Sequence, residues 1–133
     1  MSESNLETIK AVYDAFTRGD VEAILAVVDD NVDWASDTSS DAAPWYGTRH
    51  GKNGVADFFT DFGTAMDVEE FTPVSYAVAD DEVHTVVNFR ARSRKTDKTV
   101  SMRLHHWFRF RAGKIVYYRG TEDTAITIAA LTP

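Results

Sequence analysis

Apolar residues recur at intervals of three and four in three stretches of the first half of the chain, and this spacing predicts three helices. The first stretch begins within a capping box formed by Ser4 and Glu7, and it stops at Gly19. The three apolar sets are Leu6, Ile9, Val12, Tyr13 and Phe16; Ile24, Leu25, Val27 and Val28; and Val55, Phe58, Phe59, Phe62 and Met66.

The boundaries of the other early elements follow from their polar residues. Asp20 can cap the second helix, which is predicted to continue through residue 28. Residues 31–34 are predicted to form a short strand, and the Ser-, Asp- and Thr-rich segment 36–44 a loop that could gate a binding site. The third helix is expected at about residues 53–66.

Beyond residue 66 the apolar period changes to two, which predicts strands. Turn signals at 80–81, 96–97 and 112–113 separate four strands that are joined as hairpins, so the sheet is expected to be antiparallel. Three helices and a twisted meander cannot close a barrel, so the helices should cover the concave side of the sheet. We therefore expect an α+β fold, conical with an open mouth, that forms one domain over residues 1–133.

Composition excludes several classes of protein. The chain has 133 residues, 44% of them hydrophobic, which is typical of a folded domain. It has no cysteine, no signal peptide and no long apolar segment, which predicts a cytoplasmic protein that does not enter a membrane. Its formal net charge of -7 disfavours nucleic acid as a partner. The basic residues that crowd one hairpin are interpreted as a solvated strand face: Arg90, Arg92, Arg94, Lys95 and Lys98.

One titratable residue interrupts the apolar face of the strand at residues 100–111. That face holds Val100, Met102, Leu104, His106, Phe108 and Phe110. An imidazole among apolar neighbours is desolvated, which lowers its pKa unless a carboxylate restores it, and such a group can act as a general base. A core histidine that makes one hydrogen bond to the backbone or to a tyrosine is an equal alternative.

The last strand, residues 114–123, carries two further candidates. Arg119 and Asp123 lie on the same face by parity, and they could reach the ring of His106 if that face is inside. The alternative is that Asp123 caps a C-terminal helix at residues 125–131. The catalytic residues predicted by this reasoning are His106, Asp123 and Arg119.

Aromatic residues suggest where a ligand would bind. Trp34, Trp45 and Tyr46 flank the predicted loop, and rings at a pocket mouth suit flat or polycyclic apolar ligands. Ordinary core packing is the favoured alternative for Trp34. The predicted lining residues are Tyr13, Trp34, Trp45, Tyr46, Phe58, Phe62, Phe89, Leu104 and Phe108.

No motif for a metal or a cofactor is recognised in the sequence. The histidines lack the spacing of a metal site, and there is no Gly-rich phosphate loop, Gly-x-Ser-x-Gly elbow or nucleophilic cysteine. We therefore predict neither a metal nor a cofactor.

The order of motifs resembles the SnoaL-like branch of the nuclear transport factor 2-like (cystatin-like) superfamily. The motifs in chain order are Gly19-Asp20, Asp30 and Trp34, Tyr46-Gly47-x-x-x-Gly51, Phe58-Phe59, His106-Trp-Phe-Arg-Phe, Gly113-Lys114-Ile115 and Asp123. The resemblance implies a cone-shaped α+β barrel with a pocket between the helices and the sheet. It also implies a homodimer through the outer sheet face, which carries Trp107. Members of the superfamily include ketosteroid isomerases, limonene epoxide hydrolases and polyketide cyclases.

The resemblance also assigns roles to positions. The first catalytic aspartate of the isomerases falls on Ala35 or Ser36, and their helix-one tyrosine falls on about Val12, beside Tyr13. Their second aspartate is replaced by His106.

The acid/base aspartate of the cyclases and epoxide hydrolases is matched by Asp123, four residues after Arg119. We therefore expect a lyase, isomerase or cyclase that acts on an apolar, polycyclic or similar carbonyl compound. The alternative is a non-catalytic ligand-binding or dimeric assembly module.

Overall fold

The computed structural model describes residues 2–133 of the chain. Its helices are α1 (Ser2–Thr17), α2 (Val21–Leu25), α3 (Gly51–Ala65) and α4 (Thr124–Leu131). Its strands are β1 (Val28–Ser36), β2 (Arg49–His50), β3 (Met66–Ala79), β4 (Glu82–Ser93), β5 (Thr99–Arg111) and β6 (Lys114–Thr121). The fold is α+β, because the hairpin strands follow one another in the second half of the chain.

The predicted helices occur where the apolar spacing placed them, but their ends differ. Ser4 lies inside α1, where its carbonyl accepts a hydrogen bond from the Thr8 hydroxyl at 3.0 Å, so the capping box does not begin this helix. Asp20 does cap α2 by accepting from the backbone N–H of Ala23 at 3.1 Å. The predicted end of α2 at residue 28 was wrong, because Val28 already belongs to β1.

The strands form one six-stranded sheet in the order β2-β1-β6-β5-β4-β3, with β2 and β3 as its edges. The three predicted hairpins join β3 to β4, β4 to β5 and β5 to β6. The prediction of a wholly antiparallel sheet was wrong at one place, since β1 runs parallel to β6. Strand β1 is also longer than the predicted segment 31–34, and β2 was not predicted.

The two faces of the sheet differ in exposure. Along β5 the even-numbered residues Val100, Leu104, His106, Phe108 and Phe110 are buried, whereas His105 and the arginines of the odd-numbered face are exposed. Helix α3 packs against β1, and α1 packs against β3 and β4. The buried side chains of both layers form one hydrophobic core. No helix within residues 2–133 has the length and hydrophobicity needed to cross a membrane.

Candidate functional site

A cavity lies between the inner face of the sheet and the helices. The cavity volume is ≈ 80 Å³. A single water needs about 10–15 Å³ in this measure, so the cavity has room for a small organic molecule. Its walls are mainly aromatic and aliphatic, and the predicted lining residues around it are Tyr13, Trp34, Trp45, Phe58, Phe62, Phe89, Leu104 and Phe108.

His106 and Tyr13 form a polar pair inside this apolar wall. The Tyr13 hydroxyl lies 2.7 Å from Nδ1 of His106, and both side chains line the cavity. Burial, with a smaller contribution from His105, lowers the pKa of His106 to about 3, so its imidazole is neutral at neutral pH. Burial also raises the pKa of Tyr13 well above 10.0, which keeps its hydroxyl protonated. The pair is therefore an uncharged imidazole bound to an uncharged phenol.

Tyr118 brings a second hydroxyl next to this pair. Its ring stacks on Trp34 at a centroid distance of 4.1 Å and lies 5.3 Å from the ring of His106. Gly120 makes room for it, because a Cβ atom at that position would clash with the Tyr118 oxygen. Burial, and then the charge of Glu122, raise the pKa of Tyr118, so this hydroxyl is also protonated.

Glu122 is a carboxylate at the cavity, directly after β6. Its Oε2 accepts a hydrogen bond from the Tyr46 hydroxyl at 2.8 Å and another from the Thr127 hydroxyl. Burial, and then the charge of Glu122, raise the pKa of Tyr46. Because two hydroxyl groups donate to this one oxygen, the Glu122 carboxylate acts as a hydrogen-bond acceptor, and the two bonds hold it in a fixed position. The same bonds connect the loop before β2 with the first turns of α4.

The sequence matches one known protein family over most of its length. A model of the SnoaL-like domain matches residues 9–118. The chain belongs to the SnoaL-like domain family. Among curated proteins, no sequence matches.

Solved structures share the fold of this SnoaL-like domain over its whole length. A nuclear transport factor 2-like protein of unknown function from Burkholderia pseudomallei K96243 is 24% identical, with a TM-score of 0.91 over 100% of both chains. TerC, co-crystallized with polyporic acid, is 23% identical, with a TM-score of 0.84 over 96% of this chain and 98% of its own. A candidate polyketide cyclase from Xanthomonas campestris pv. campestris is 17% identical, with a TM-score of 0.77 over 98% of each chain.

Arg119 is not brought together with His106 in this SnoaL-like domain. Register explains why: His106 lies opposite Gly120, so Arg119 pairs with Trp107 on the outer face. There its Nη2 lies 3.1 Å from both carboxylate oxygens of Asp33, and its guanidinium stacks 4.3 Å from the ring of Tyr117. The predicted approach of Arg119 to the imidazole is therefore absent.

Asp123 is also outside the cavity. Its side chain accepts a hydrogen bond from the backbone N–H of Ile126 at 3.3 Å, which is the alternative that the sequence left open. The carboxylate is exposed, and the helix that it caps begins at Thr124 rather than at residue 125. Of the three predicted catalytic side chains, only His106 lines the cavity.

The carboxylate at the cavity, Glu122, was not selected from the sequence, although it shares a strand parity with Tyr118 and Gly120. A glycine and a tyrosine on one face are a weak signal, because neither identifies that face as the inner one. Tyr46, predicted as a lining residue, lies behind Glu122 and reaches the site through its hydrogen bond.

The arrangement can hold an apolar ligand and exchange protons with it. Tyr13, His106 and Tyr118 supply uncharged hydrogen-bonding groups, and Glu122 supplies a proton acceptor. Within residues 2–133, no group of three or more histidine, aspartate or glutamate side chains is placed to hold a metal ion. Tyr13, His106, Tyr118 and Glu122 offer acid/base chemistry.

Proposed function

We propose that this SnoaL-like domain is a lyase, isomerase or cyclase that moves a proton next to a carbonyl group of an apolar compound. The observation that carries the proposal is the uncharged pair of Tyr13 and His106 in a mainly apolar cavity, where the Tyr13 hydroxyl lies 2.7 Å from Nδ1 of His106. A pocket of this kind, apolar with a few convergent polar groups, is typical of small-molecule sites.

The Tyr13–His106 pair would act as a hydrogen-bond donor to the carbonyl oxygen. If the Tyr13 hydroxyl donates to Nδ1, the neutral imidazole keeps its proton on Nε2. If Nδ1–H donates instead, the Tyr13 hydroxyl keeps its own proton. In either tautomer one N–H or O–H remains for the ligand, and such a donor stabilises the oxygen as it gains negative charge. A pKa of about 3 makes His106 a weak base at neutral pH, which favours this role over proton removal.

Glu122 would remove the proton from the carbon next to the carbonyl. Its side chain lines the cavity, and among the described residues only Oε2 takes hydrogen bonds. Oε1 is then the atom that accepts the proton. We infer that Glu122 takes the carboxylate role that the sequence assigned to Asp123, because Asp123 caps α4 on the outside.

The structural relatives agree with this class of reaction at the level of the fold. One relative is a candidate polyketide cyclase, and another, TerC, was crystallised with polyporic acid. Folds host many activities, so these relatives support the reaction class by analogy and leave the substrate open.

Proton exchange tests the proposal without a known substrate. 2-Acetylnaphthalene is an uncharged ketone whose methyl protons lie next to its carbonyl, and their replacement by deuterium in heavy water is followed by NMR. Wild type is expected to accelerate the exchange, and Glu122→Gln and Tyr13→Phe should each slow it, the former by about 100-fold or more. His105→Gln, on the outer face of the same strand, is the control and should exchange at the wild-type rate.

Two results would contradict the assignment. Binding of 2-acetylnaphthalene with no exchange above buffer would favour the non-catalytic ligand-binding alternative. Exchange that is lost in Asp123→Asn but kept in Glu122→Gln would return the carboxylate role to Asp123.

We also propose a homodimer through the outer sheet face, with a cone-shaped barrel in each protomer. Trp107 is partly exposed on that face, where the ring of His84 stacks on it at a centroid distance of 6.0 Å and the guanidinium of Arg109 lies 4.6 Å from its ring. Light scattering should give twice the chain mass for wild type, and Trp107→Glu should shift the mass towards the monomer. A monomeric wild type would contradict the proposal.

The cytoplasmic location of the protein stays a prediction.

A further inference from the structure

The charge of the cavity is set by one residue. Among the described residues that line it, Glu122 is the only one with an acidic side chain, and no lysine or arginine lines the cavity. His106 adds no positive charge, because burial keeps its imidazole neutral. The cavity therefore carries a negative charge at one end and no cation to balance a negative ligand.

Three basic side chains near the cavity bind elsewhere. Arg49 pairs with Asp61 at 2.9 Å, and Arg119 pairs with Asp33 on the outer face. Lys98 donates to the carbonyl of Thr132 at the end of the chain. These contacts leave the interior without a positive group that a carboxylate could meet.

We propose that Glu122 makes the pocket select uncharged carbonyl compounds over carboxylates of the same shape. The inference rests on the proposed function, in which the pocket binds a carbonyl compound. It adds that this compound must be uncharged. A carboxylate would lose its hydration inside the apolar walls without gaining an ion pair. It would also approach the like charge of Glu122, whose position is fixed by Tyr46 and Thr127. A ketone meets neither cost.

A pair of nearly isosteric ligands tests the selection. 2-Acetylnaphthalene carries an acetyl group where 2-naphthoate carries a carboxylate, and both are measured by equilibrium dialysis through their naphthalene absorbance. Wild type is expected to bind the ketone at least about 100-fold more tightly than the carboxylate at neutral pH. Glu122→Gln should lower that ratio by about tenfold or more, because the amide keeps the shape and removes the charge.

Asp37→Asn is the matched control. Asp37 is an exposed carboxylate beside Ser36, a lining residue, but it does not line the cavity itself. The control should keep the wild-type ratio, which separates a charge inside the pocket from the overall negative charge of the protein.

The outcomes separate the inference from the function on which it rests. Equal affinity of wild type for both ligands, or an unchanged ratio in Glu122→Gln, would overturn the selection by Glu122. If neither ligand binds to wild type, the proposed function fails and the inference with it. If the ketone binds selectively but its methyl protons do not exchange, the catalytic proposal fails and the selection stands.

Discussion

The two faces of β5 place neighbouring histidines in opposite environments. His105 is exposed on the outer face, whereas His106 is 9% exposed on the inner face and bound to Tyr13. On the outer face Glu82 accepts from the indole of Trp107 at 3.0 Å and lies 3.4 Å from Arg109. Charges on the outer face of β5 thus pair with one another near the surface, whereas His106 on its inner face has an uncharged partner.

This difference indicates where selective chemistry can occur. Exposed ion pairs contribute little, because water and salt screen them. Inside, a polar group acts more strongly on a ligand, because the effective dielectric of the interior is lower than that of water. Tyr13, His106, Tyr118 and Glu122 are among the polar groups that line the cavity, and the proposed activity depends on them.

Substitution of adjacent residues on the two faces should give the largest contrast. Phe108 is 2% exposed, so Phe108→Ala is expected to lower the free energy of unfolding by about 3–5 kcal/mol. Trp107→Ala on the outer face should cost less within one protomer, since its ring is partly exposed there, and both variants are compared at protein concentrations low enough to keep them monomeric. Urea unfolding of both variants measures the difference, and equal losses would contradict the division into a packed face and a solvated face.

The pH dependence of stability should distinguish His106 from His105. At pH values between the ordinary imidazole pKa of 6.5 and the folded pKa of about 3, His106 is protonated in the unfolded chain but not in the folded one. Stability therefore falls as the pH drops through this window, by up to about 1.4 kcal/mol per pH unit.

The variant His106→Asn should lack this contribution. Its deficit against wild type should shrink by about 2 kcal/mol between pH 7 and pH 5, as measured by urea unfolding. His105→Gln is the control and should follow the wild-type slope. A constant deficit for His106→Asn would mean that the imidazole is not kept neutral by burial.

Two glycines test how tightly the inner face is packed. Gly120→Ala places a methyl group against the Tyr118 hydroxyl and is expected to lower stability by about 1–3 kcal/mol. Gly63→Ala in α3 meets open space, so it should raise stability by up to about 1 kcal/mol. Thermal unfolding of both variants gives the comparison. A neutral Gly120→Ala would show that Tyr118 can move freely.

An ion pair on the outer face should have the smallest effect. Arg90 lies 3.3 Å from carboxylate oxygens of both Glu69 and Glu70, with its side chain 46% exposed. Arg90→Gln is expected to cost about 0.5 kcal/mol or less, and the loss should vanish in about 1 M NaCl. A larger loss that resists salt would show that this face is not simply solvated.

Local features of the sequence predicted most of the fold. Apolar spacing located the helices, turn signals located the hairpins, and the alternation along β5 correctly put His106 inside. The parallel pairing of β1 with β6 joins distant segments and leaves no local pattern, so it was missed. The prediction of helix one from Leu6 to Phe16 was confirmed, although the cap at Ser4 was not.

The candidate site was harder to predict, because it depends on which face of β6 is inside. A register shift opposite Arg109 and Phe110 removes Val116 from the pairing and breaks simple alternation near the start of the strand. Tyr118, Gly120 and the following Glu122 then turn inward, while Arg119 turns outward. Because of this one extra residue in β6, Tyr118 and Glu122 face the cavity in place of the predicted Arg119 and Asp123.

The most direct test of the inner-face site is an NMR titration of the histidine ring nitrogens with 2-acetylnaphthalene. We expect the ring signals of His106 to shift and saturate as the ketone fills the cavity, while those of His105 stay unchanged. Signals that move only at His105, or at neither histidine, would contradict the account.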